Sequence, residues 1–335
     1  MGENKIITYY SHNYNVRTYE YYNDNKKLHR ENGPAVIYYF DDGNKYYEEY
    51  YINGRHQRED GPATIFYYEN GNVLREKYYT NGKLHRENGP AVINYYEDGT
   101  IENELYYKDN MYYRENGPAV NHYYESGKIK NELYYKNGKL HREDGPAFIY
   151  YYEDGTIEKE FYHIDNKKHR EDGPAFIQYY ENGKIENEYY FFNDEYHRED
   201  GPAITKYYED GTIESEYYFL NDKYHREDGP TIIKYYENGN KEYEEYYING
   251  HLHREDDAAL IYYNENGTIK YKKYYINGNF IMNGNDVEYY IKSKKPIKLR
   301  RCDKLRMLYN ICKKRGLDDK VKEIGNKLLL QQLLS

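Results

Sequence analysis

An arginine recurs at an invariant interval of 28 residues, and this period constrains the fold more than any other feature of the chain. The copies are Arg30, Arg58, Arg86, Arg114, Arg142, Arg170, Arg198, Arg226 and Arg254. Each lies in a stretch that reads most cleanly from Asn137 to Ala147, as Asn-Gly-Lys-Leu-His-Arg-Glu-Asp-Gly-Pro-Ala. A fixed period of this length indicates an array of equivalent supersecondary units, each of which packs mainly on its neighbours.

Three dipeptides divide each period, as in Asn137-Gly138, Gly145-Pro146 and Asp154-Gly155. Asn-Gly and Asp-Gly between alternating aromatic runs are strong signals of β-hairpins, because type I′ turns need positive φ at both central residues. Gly-Pro holds eight of the nine prolines of the chain. This position predicts a strand start, where the missing N–H of proline does least harm.

Two strands per repeat are predicted between these turns. One follows Gly-Pro, as in residues 175–180, and the other follows Asp-Gly or Asn-Gly, as in residues 184–191. Side chains in both runs alternate between two faces with a period of two. The sequence therefore predicts an all-β repeat array, an elongated and twisted antiparallel β-meander that advances about 10 Å per repeat.

Tyrosine dominates the composition, with 53 residues against 9 Phe and no Trp. Its ring and hydroxyl suit half-exposed sheet surfaces, and cross-strand ladders of tyrosines would stabilise the array. A mean hydropathy of -1.23 with 32% charged residues is otherwise typical of disorder. The aromatic content and the regular turn spacing argue against disorder here.

Three segments are predicted along the chain. Residues 1–25 form an irregular N-terminal capping unit, residues 26–291 form the array, and residues 292–335 form a basic helical tail. At the ninth repeat the motif loses Gly and Pro, and the tenth is expected to end on a strand at residues 289–291. Atypical terminal units are expected of repeat arrays.

The tail differs from the array in charge and in hydrophobic pattern. It carries 14 Lys/Arg and 4 Asp/Glu, against 34 and 54 in residues 1–291, and it holds both cysteines, Cys302 and Cys312. Apolar residues at helical spacing predict a short helical hairpin that packs on the last strands. The alternative is a basic element that contacts an anionic surface through Lys294, Lys295, Lys298, Arg300 and Arg301.

The repeated His-Arg-Glu cluster is interpreted as structural. Equivalent histidines of successive repeats would lie about 10 Å apart, whereas zinc ligands lie about 2 Å from one ion. Nine equal copies of one general base also fit no enzyme. We expect Arg to pair with a Glu of its own or the adjacent repeat. The structural signature comprises Arg30, Glu31, Gly33, Pro34, Arg58, Glu59, Arg86, Glu87, Arg114, Glu115, Arg142, Glu143, Arg170, Glu171, Arg198, Glu199, Arg226 and Glu227.

The segment from Tyr134 to His141, followed by an aromatic strand that ends in Glu153-Asp154-Gly155, resembles the MORN repeat variant. The resemblance covers residues 8–291. It departs from the usual pattern because Arg-Glu-Asp/Asn stands before Gly-Pro. It implies an elongated β-array used as an interaction scaffold, sometimes at membranes or phosphoinositides, without catalytic residues. The richness in Asn, Lys, Ile and Tyr is similar to that of arrays from AT-rich genomes, including giant DNA viruses.

These observations predict a non-enzymatic scaffold that binds protein partners through an acidic, Tyr-rich β surface. The alternative is a peripheral membrane or phosphoinositide-associated protein that is anchored by its basic tail. We expect no catalytic site, metal, cofactor or small-molecule substrate. Nucleic acid is a poor partner because the acidic array repels phosphate. The N-terminus has no apolar segment, which predicts an intracellular, cytoplasmic protein, located in the host cytoplasm or the virion if it is viral.

Overall fold

The computed structural model describes residues 4–12, 14–292 and 302–333. Antiparallel β-strands follow one another from Asn4 to Asn283, and helices follow them near the C-terminal end. The chain forms two compact units, Met1–Lys168 and His169–Ser335. The predicted all-β array with a short C-terminal helical region is confirmed.

The first unit contains a meander in which consecutive long strands pair antiparallel. Its strands are Asn4–Tyr9, Val16–Tyr22, Val36–Tyr39, Lys45–Glu49, Thr64–Tyr67, Val73–Lys77, Val92–Tyr95, Ile101–Leu105, Val120–Tyr123, Ile129–Leu133, Phe148–Tyr151 and Ile157–Phe161.

The second unit continues with the same type of meander. Its strands are Phe176–Tyr179, Ile185–Tyr189, Ile204–Tyr207, Ile213–Tyr217, Ile232–Tyr235, Lys241–Glu245, Leu260–Tyr263, Ile269–Ile276 and Asn279–Asn283.

Each repeat contributes a four-residue strand, here called strand A, and a following strand B of five residues. Strand A of one repeat, Phe148–Tyr151, pairs with strand B, Ile157–Phe161, and the register shifts beside the connecting turn. The turn glycine Gly155 has a φ of 97°, and the Asp154 carboxylate accepts the N–H of Thr156 at 2.8 Å. The Asp-Gly turn and its bulge thus set the register of every A–B pair.

The structure adds a two-stranded side hairpin to the two sheet strands of each repeat. At its tip, Asn53 and Gly54 have φ of 51° and 80°, as a type I′ turn requires. The pairs of strands are Tyr51–Ile52 with Arg55–His56, Tyr79–Thr80 with Lys83–Leu84, Tyr107–Lys108 with Met111–Tyr112, Tyr135–Lys136 with Lys139–Leu140, His163–Ile164 with Lys167–Lys168, Phe191–Phe192 with Glu195–Tyr196, Phe219–Leu220 with Lys223–Tyr224, and Tyr247–Ile248 with His251–Leu252.

Strand B does not continue into the side hairpin as one long strand, because the neighbouring strand has no free backbone donor at this point. Most repeats have proline there, and in the ninth repeat the N–H of Ala258 is bonded to the Asp257 carboxylate. The N–H of Tyr134 donates to the carbonyl of Ala147 in the neighbouring strand at 2.8 Å. The residue before Ala147 is Pro146, which has no N–H with which to extend the ladder. Strand B therefore ends at this tyrosine, and the Asn-Gly turn closes a separate hairpin.

Tyrosine hydroxyls bind successive repeats to each other on one face of the sheet, here called the Tyr–Glu face. The tyrosine that ends strand A donates to a glutamate on strand B of the preceding repeat, at 2.7–3.1 Å. The pairs are Tyr67–Glu48, Tyr95–Glu76, Tyr123–Glu104, Tyr151–Glu132, Tyr207–Glu188, Tyr235–Glu216 and Tyr263–Glu244. The next tyrosine in sequence, such as Tyr96, donates to a backbone carbonyl of the following repeat, that of Tyr123, at 2.8 Å.

Three helices follow the last strand: α1 (Gly284–Lys292), α2 (Cys302–Lys314) and α3 (Asp318–Leu333). Helices α2 and α3 pack together as the predicted hairpin, and their buried side chains join those of the last strands in one core. That core contains Ala258, Ile261, Tyr274, Ile281, Met282, Val287, Leu305, Met307, Leu308, Ile311, Cys312 and Ile324.

The strand expected at residues 289–291 is helical instead. The last strand ends at Asn283, whose N–H donates to the Asp286 carboxylate at 3.3 Å and so favours a helix start. The boundary predicted at residue 291 thus falls at the end of α1. The aromatic run at residues 289–291 resembles a strand in sequence. It has no pairing partner, however, because no later strand A follows it in the described residues.

The altered ninth repeat forms the docking point of these helices. Asp257 stands where other repeats have Gly, and Lys272 stands where they have the glutamate of the Tyr–Glu face. The two form a half-buried ion pair at 3.0 Å, and Asp257 also accepts the N–H of Ala258. Lys314 of α2 pairs with Asp256 at 2.5 Å. The loss of the Gly-Pro motif in the ninth repeat is therefore accompanied by new ion pairs, Asp257 with Lys272 and Asp256 with Lys314.

Replacing Lys272 by Met should loosen the C-terminal helices. Burial raises the pKa of Asp257, but the Ala258 N–H and Lys272 outweigh burial and hold that pKa below its ordinary value. Without Lys272 a largely buried carboxylate loses the cation that hydrogen-bonds it and keeps only the more distant Arg254, which costs on the order of 3 kcal/mol. Amide hydrogen exchange of α2 should accelerate, while the exposed control Lys270→Met leaves it unchanged.

The same ion pair predicts an acid limb of stability. Because the folded pKa of Asp257 is depressed, its contribution is complete above the ordinary aspartate pKa of about 3.9 and is lost as pH falls through the lower folded value. Helix docking, followed by hydrogen exchange, should weaken over that window. Equal exchange in α2 above and below the window would contradict the assignment.

Alkali should unfold the array as its tyrosines ionise. Burial and the adjacent glutamates raise the pKa of the Tyr–Glu face tyrosines. Their stabilisation is complete below the ordinary tyrosine pKa of about 10 and is lost as pH rises through the raised folded values. Tyrosinate absorbance should therefore increase late and together with loss of the β circular dichroism. Ordinary titration with intact β signal would refute this.

Candidate interaction surface

The signature arginine is used inside its own repeat, in what we call the Arg–Glu loop (residues 141–146 and their equivalents). The Arg142 guanidinium lies over the Tyr134 ring at 4.0 Å. It also donates to the Asp144 carboxylate at 2.8 Å and to the Pro146 carbonyl at 3.4 Å. The pairing of Arg with the following Glu that the sequence suggested is replaced by pairing with the Asp one position later.

This arrangement repeats along the chain, with Arg–Tyr ring distances of 3.8–4.2 Å. The pairs are Arg30–Tyr21, Arg58–Tyr50, Arg86–Tyr78, Arg114–Tyr106, Arg142–Tyr134, Arg198–Tyr190, Arg226–Tyr218 and Arg254–Tyr246. The hydrogen bond from Arg142 holds the pKa of the Asp144 carboxyl below its ordinary value.

The arginine also explains the glycine of Gly-Pro. A Cβ at Gly201 would lie 2.8 Å from the Arg198 guanidinium carbon, and a Cβ at Gly229 would lie 2.8 Å from that of Arg226. Loops with Asn in place of Asp have a different backbone, since Gly33 has a φ of 133°. Glycine suits both loop types, by leaving space for the guanidinium or by allowing a positive φ. The ninth repeat has Asp257 at this position, and Arg254 still lies over the Tyr246 ring at 3.9 Å.

The signature glutamates point into solvent. Side chains such as Glu31, Glu87, Glu143 and Glu227 are 69–89% exposed and lie 3.2–3.9 Å from the histidine of their own loop. Open grooves separate neighbouring loops, as in the one of about 390 Å³ between the loops of Arg86 and Arg114. The structure thus brings the signature residues together once per repeat and leaves only the glutamate outward.

Histidines of the loops hold the next repeat. Nδ1 of His29 accepts the N–H of Asn53, in the side-hairpin turn of the following repeat, at 3.2 Å. The same bond recurs for His141 with Asp165, His169 with Asn193, His225 with Asn249 and His253 with Asn277. Within residues 4–12, 14–292 and 302–333, no group of three His, Cys, Asp or Glu side chains is placed to hold a metal ion.

The opposite face of the sheet carries a row of cross-strand neighbours whose residue types vary among the repeats. Strand A contributes its third residue and strand B also its third, so that His122 lies opposite Asn131 and Asn131 opposite Tyr150. On the Tyr–Glu face the equivalent positions hold the same Tyr and Glu in successive repeats. We call this line of residues the variable row.

In the first unit the variable row runs from aromatic to polar residues. Its members are Tyr38, Tyr47, Phe66, Arg75, Asn94, Asn103, His122, Asn131, Tyr150 and Lys159. Tyr38 stacks on Tyr47 with ring centroids 5.4 Å apart. Asn94 and Asn103 are buried and bond to each other, and burial lowers the pKa of the His122 imidazole.

In the second unit the order is reversed, from polar to aromatic. Its members are Gln178, Asn187, Lys206, Ser215, Lys234, Tyr243, Tyr262 and Tyr271. Tyr262 stacks between Tyr243 and Tyr271 at 5.2 and 4.6 Å. Lys234 pairs with Glu242 at 3.1 Å. No Asp or Glu occurs in the row itself in either unit, although glutamates flank it.

The sequence analysis missed this row, although an alignment of the 28-residue repeats of this chain with one another shows the variable positions. The positions that carry the architecture are the same in nearly every copy, and the third residue of strand A is different in most of them. A column that varies within an invariant repeat is not fixed by the contacts that all repeats share, although several of its members, such as Asn94 and Ser215, are buried. Such a column is the place to look for recognition.

The basic tail is only partly described. Lys294, Lys295, Lys298, Arg300 and Arg301 lie outside the described residues. Of the described basic residues, Lys314 pairs with Asp256, and Arg315 with Glu288 at 2.8 Å. The apolar side of α2 is buried in the C-terminal core. None of the helices in the described residues has the length and apolarity needed to cross a membrane.

Comparison with known families finds the MORN repeat variant along the chain. Its family model matches residues 63–81, 91–109, 120–143, 175–193, 204–221 and 257–277. No curated protein matches the chain. Among solved structures, the crystal structure of TcdB2-TccC3-TEV is similar at 10% identity and a TM-score of 0.17, over 82% of this chain and 15% of that one. A likeness this weak carries no argument.

Arg142→Lys should destabilise the chain, whereas Glu143→Gln should not. Lysine keeps a positive charge beside Asp144 but loses the planar stacking on Tyr134 and the forked donor to the Pro146 carbonyl. The expected loss is about 1–2 kcal/mol, measured as a lower urea midpoint. Glu143 is exposed, so Glu143→Gln serves as the matched control with an unchanged midpoint. Equal effects of the two changes would contradict a structural arginine.

Proposed function

Because this chain is a MORN repeat protein of the variant type, we propose that it is a non-enzymatic scaffold that binds a protein partner along its variable row. Repeats of this family are commonly protein- or membrane-interaction modules. We narrow the acidic, Tyr-rich surface expected from composition to the face that carries the variable row. The row itself holds no Asp or Glu, and the acidic side chains lie beside it, as Glu242 does beside Lys234. The observation that carries the proposal is that residue types vary among repeats in the variable row, whereas the tyrosines and glutamates of the Tyr–Glu face are nearly the same in every repeat.

The invariant residues support this division of labour. Arg142 and its equivalents close their own loops, tyrosine–glutamate bonds join one repeat to the next, and histidines hold the next side hairpin. These groups are engaged in folding, so they offer little to a reaction. Extended arrays of this kind typically bind through the surface that successive repeats share.

The chemistry of the row favours a protein partner. It combines half-buried tyrosine rings, amide side chains and the cations Lys206 and Lys234, of which Lys234 pairs with the flanking Glu242. Aromatic and amide groups next to mixed charge resemble protein interfaces, where Tyr and Arg are enriched. A uniformly anionic partner, such as nucleic acid, would meet the glutamates.

Charge reversal in the row should abolish partner binding. We expect the double variant Lys206→Glu, Lys234→Glu to capture at least tenfold less of its partner from a native-cell extract than the unchanged chain, because two cationic contacts become repulsive. The double variant Lys139→Glu, Lys223→Glu makes the same charge change in the side hairpins, where both lysines are exposed. It should capture as much partner as the unchanged chain.

Equal loss in both double variants would contradict recognition by the row and indicate a general charge effect. The membrane alternative is tested separately with anionic vesicles at physiological salt. Since α2 and α3 pack on the last strands, charge reversal at Lys294, Lys295 and Lys298 is a cleaner test than truncation. Co-sedimentation of the full chain that this reversal removes would favour the anchor over the scaffold.

A further inference from the structure

The first strand of the array, Asn4–Tyr9, presents an open edge. It pairs on one side with Val16–Tyr22, from Asn4 opposite Tyr22 to Tyr9 opposite Val16. Among the described residues no strand pairs with its other side. All six of its residues are exposed. A strand edge of this kind offers unpaired backbone N–H and C=O groups to another strand.

Apolar side chains accompany that edge. Ile6 is 50% exposed and Ile7 is 38% exposed, and Tyr9 is exposed beside them. Lys5 is the single charged residue of the strand, and its ammonium lies over the Tyr19 ring at 3.9 Å, on the neighbouring strand. The ammonium of Lys5 thus lies over the sheet and not beside the edge, where a charge commonly prevents pairing with another strand. The register shift lies at the strand end, between Thr8 and Tyr9.

The last strand of the array, Asn279–Asn283, is covered at Ile281 and Met282, whereas Asn279, Phe280 and Asn283 stay exposed. Ile281 and Met282 are 6% and 2% exposed and pack with the C-terminal helices. The N–H of Asn283 is bonded to Asp286. A second copy therefore finds an accessible edge at the first strand and a partly covered strand at the last. Head-to-tail growth into filaments is disfavoured by this asymmetry.

We propose that two copies of this chain pair through their first strands, antiparallel, about a twofold axis. The proposal goes beyond the scaffold function, since it concerns a surface outside the variable row. Antiparallel pairing of two identical strands is self-complementary. It has the same hydrogen-bond pattern as the antiparallel pairs of neighbouring long strands within each unit. A twofold axis perpendicular to the sheet at Ile7 places the Ile7 side chains of the two copies opposite each other and each Ile6 opposite Thr8 of the other copy, which removes apolar surface from water.

Sedimentation velocity of the full chain over a range of concentrations tests the proposal. The unchanged chain should form a dimer and no larger species. Ile6→Lys and Ile7→Lys place like charges near the axis and should each raise the dimer dissociation constant at least tenfold. Ile269→Lys and Ile129→Lys are matched controls, since these isoleucines are 52% and 39% exposed on interior strands. Both controls should remain dimeric.

Three outcomes overturn the proposal: a monomer at every concentration, species that grow beyond the dimer, or equal dissociation in edge and control variants. Cross-linking gives a second measurement that does not depend on weakened variants. Under oxidising conditions Ile7→Cys should form a covalent dimer between the two copies, because cross-strand neighbours are close enough for a disulfide. Ile129→Cys should not. The absence of a covalent Ile7→Cys dimer would also overturn it.

Discussion

The guanidinium that lies between a tyrosine ring and the Gly-Pro backbone is the interaction on which the repeat depends. In Arg142 one planar group stacks on Tyr134 and donates to both the loop carboxylate and the Pro146 carbonyl. Each stack is worth about 0.5–2 kcal/mol. Its larger effect is geometric, because it fixes where strand B ends and where the next strand A begins. A unit of constant length can then be copied without insertion.

Because the Tyr–Glu face has the same contacts in nearly every repeat, the residue types on the opposite face can vary without a change in the backbone. Tyrosine hydroxyls, glutamate carboxylates and histidine Nδ1 atoms join neighbouring repeats, so cohesion between repeats is supplied by the Tyr–Glu face and the loops. The third residue of each sheet strand adds contacts that differ from repeat to repeat, such as the stacking of Tyr243 on Tyr262. It ranges from Phe66 to Ser215 without a change in strand length. A scaffold can thereby alter its recognition surface one repeat at a time and keep its architecture.

Sequence reasoning predicted the architecture well because turns are local. Asn-Gly, Asp-Gly and Gly-Pro each prescribe a backbone conformation, and their spacing predicted the strands and their antiparallel order. Apolar residues at helical spacing predicted the C-terminal helices. Sequence reasoning failed where a non-local contact decides. To predict the side hairpin, one must know that Pro146 of the neighbouring strand cannot extend the hydrogen-bonded ladder. To predict α1, one must know that no later strand in the described residues pairs with the aromatic run at residues 289–291. The variable row required comparing repeats with each other, and the arginine partner required three-dimensional distances.

The two ends of the array show how a repeat stops. At the ninth repeat, Lys272 replaces the glutamate that would accept the next tyrosine, and Asp257 replaces the glycine over which the arginine would lie. Either change alone would leave a buried charge without a partner. Together they neutralise each other and create the surface on which α2 docks. The first strand lacks any comparable exchange, so its edge keeps the pairing capacity of an interior strand.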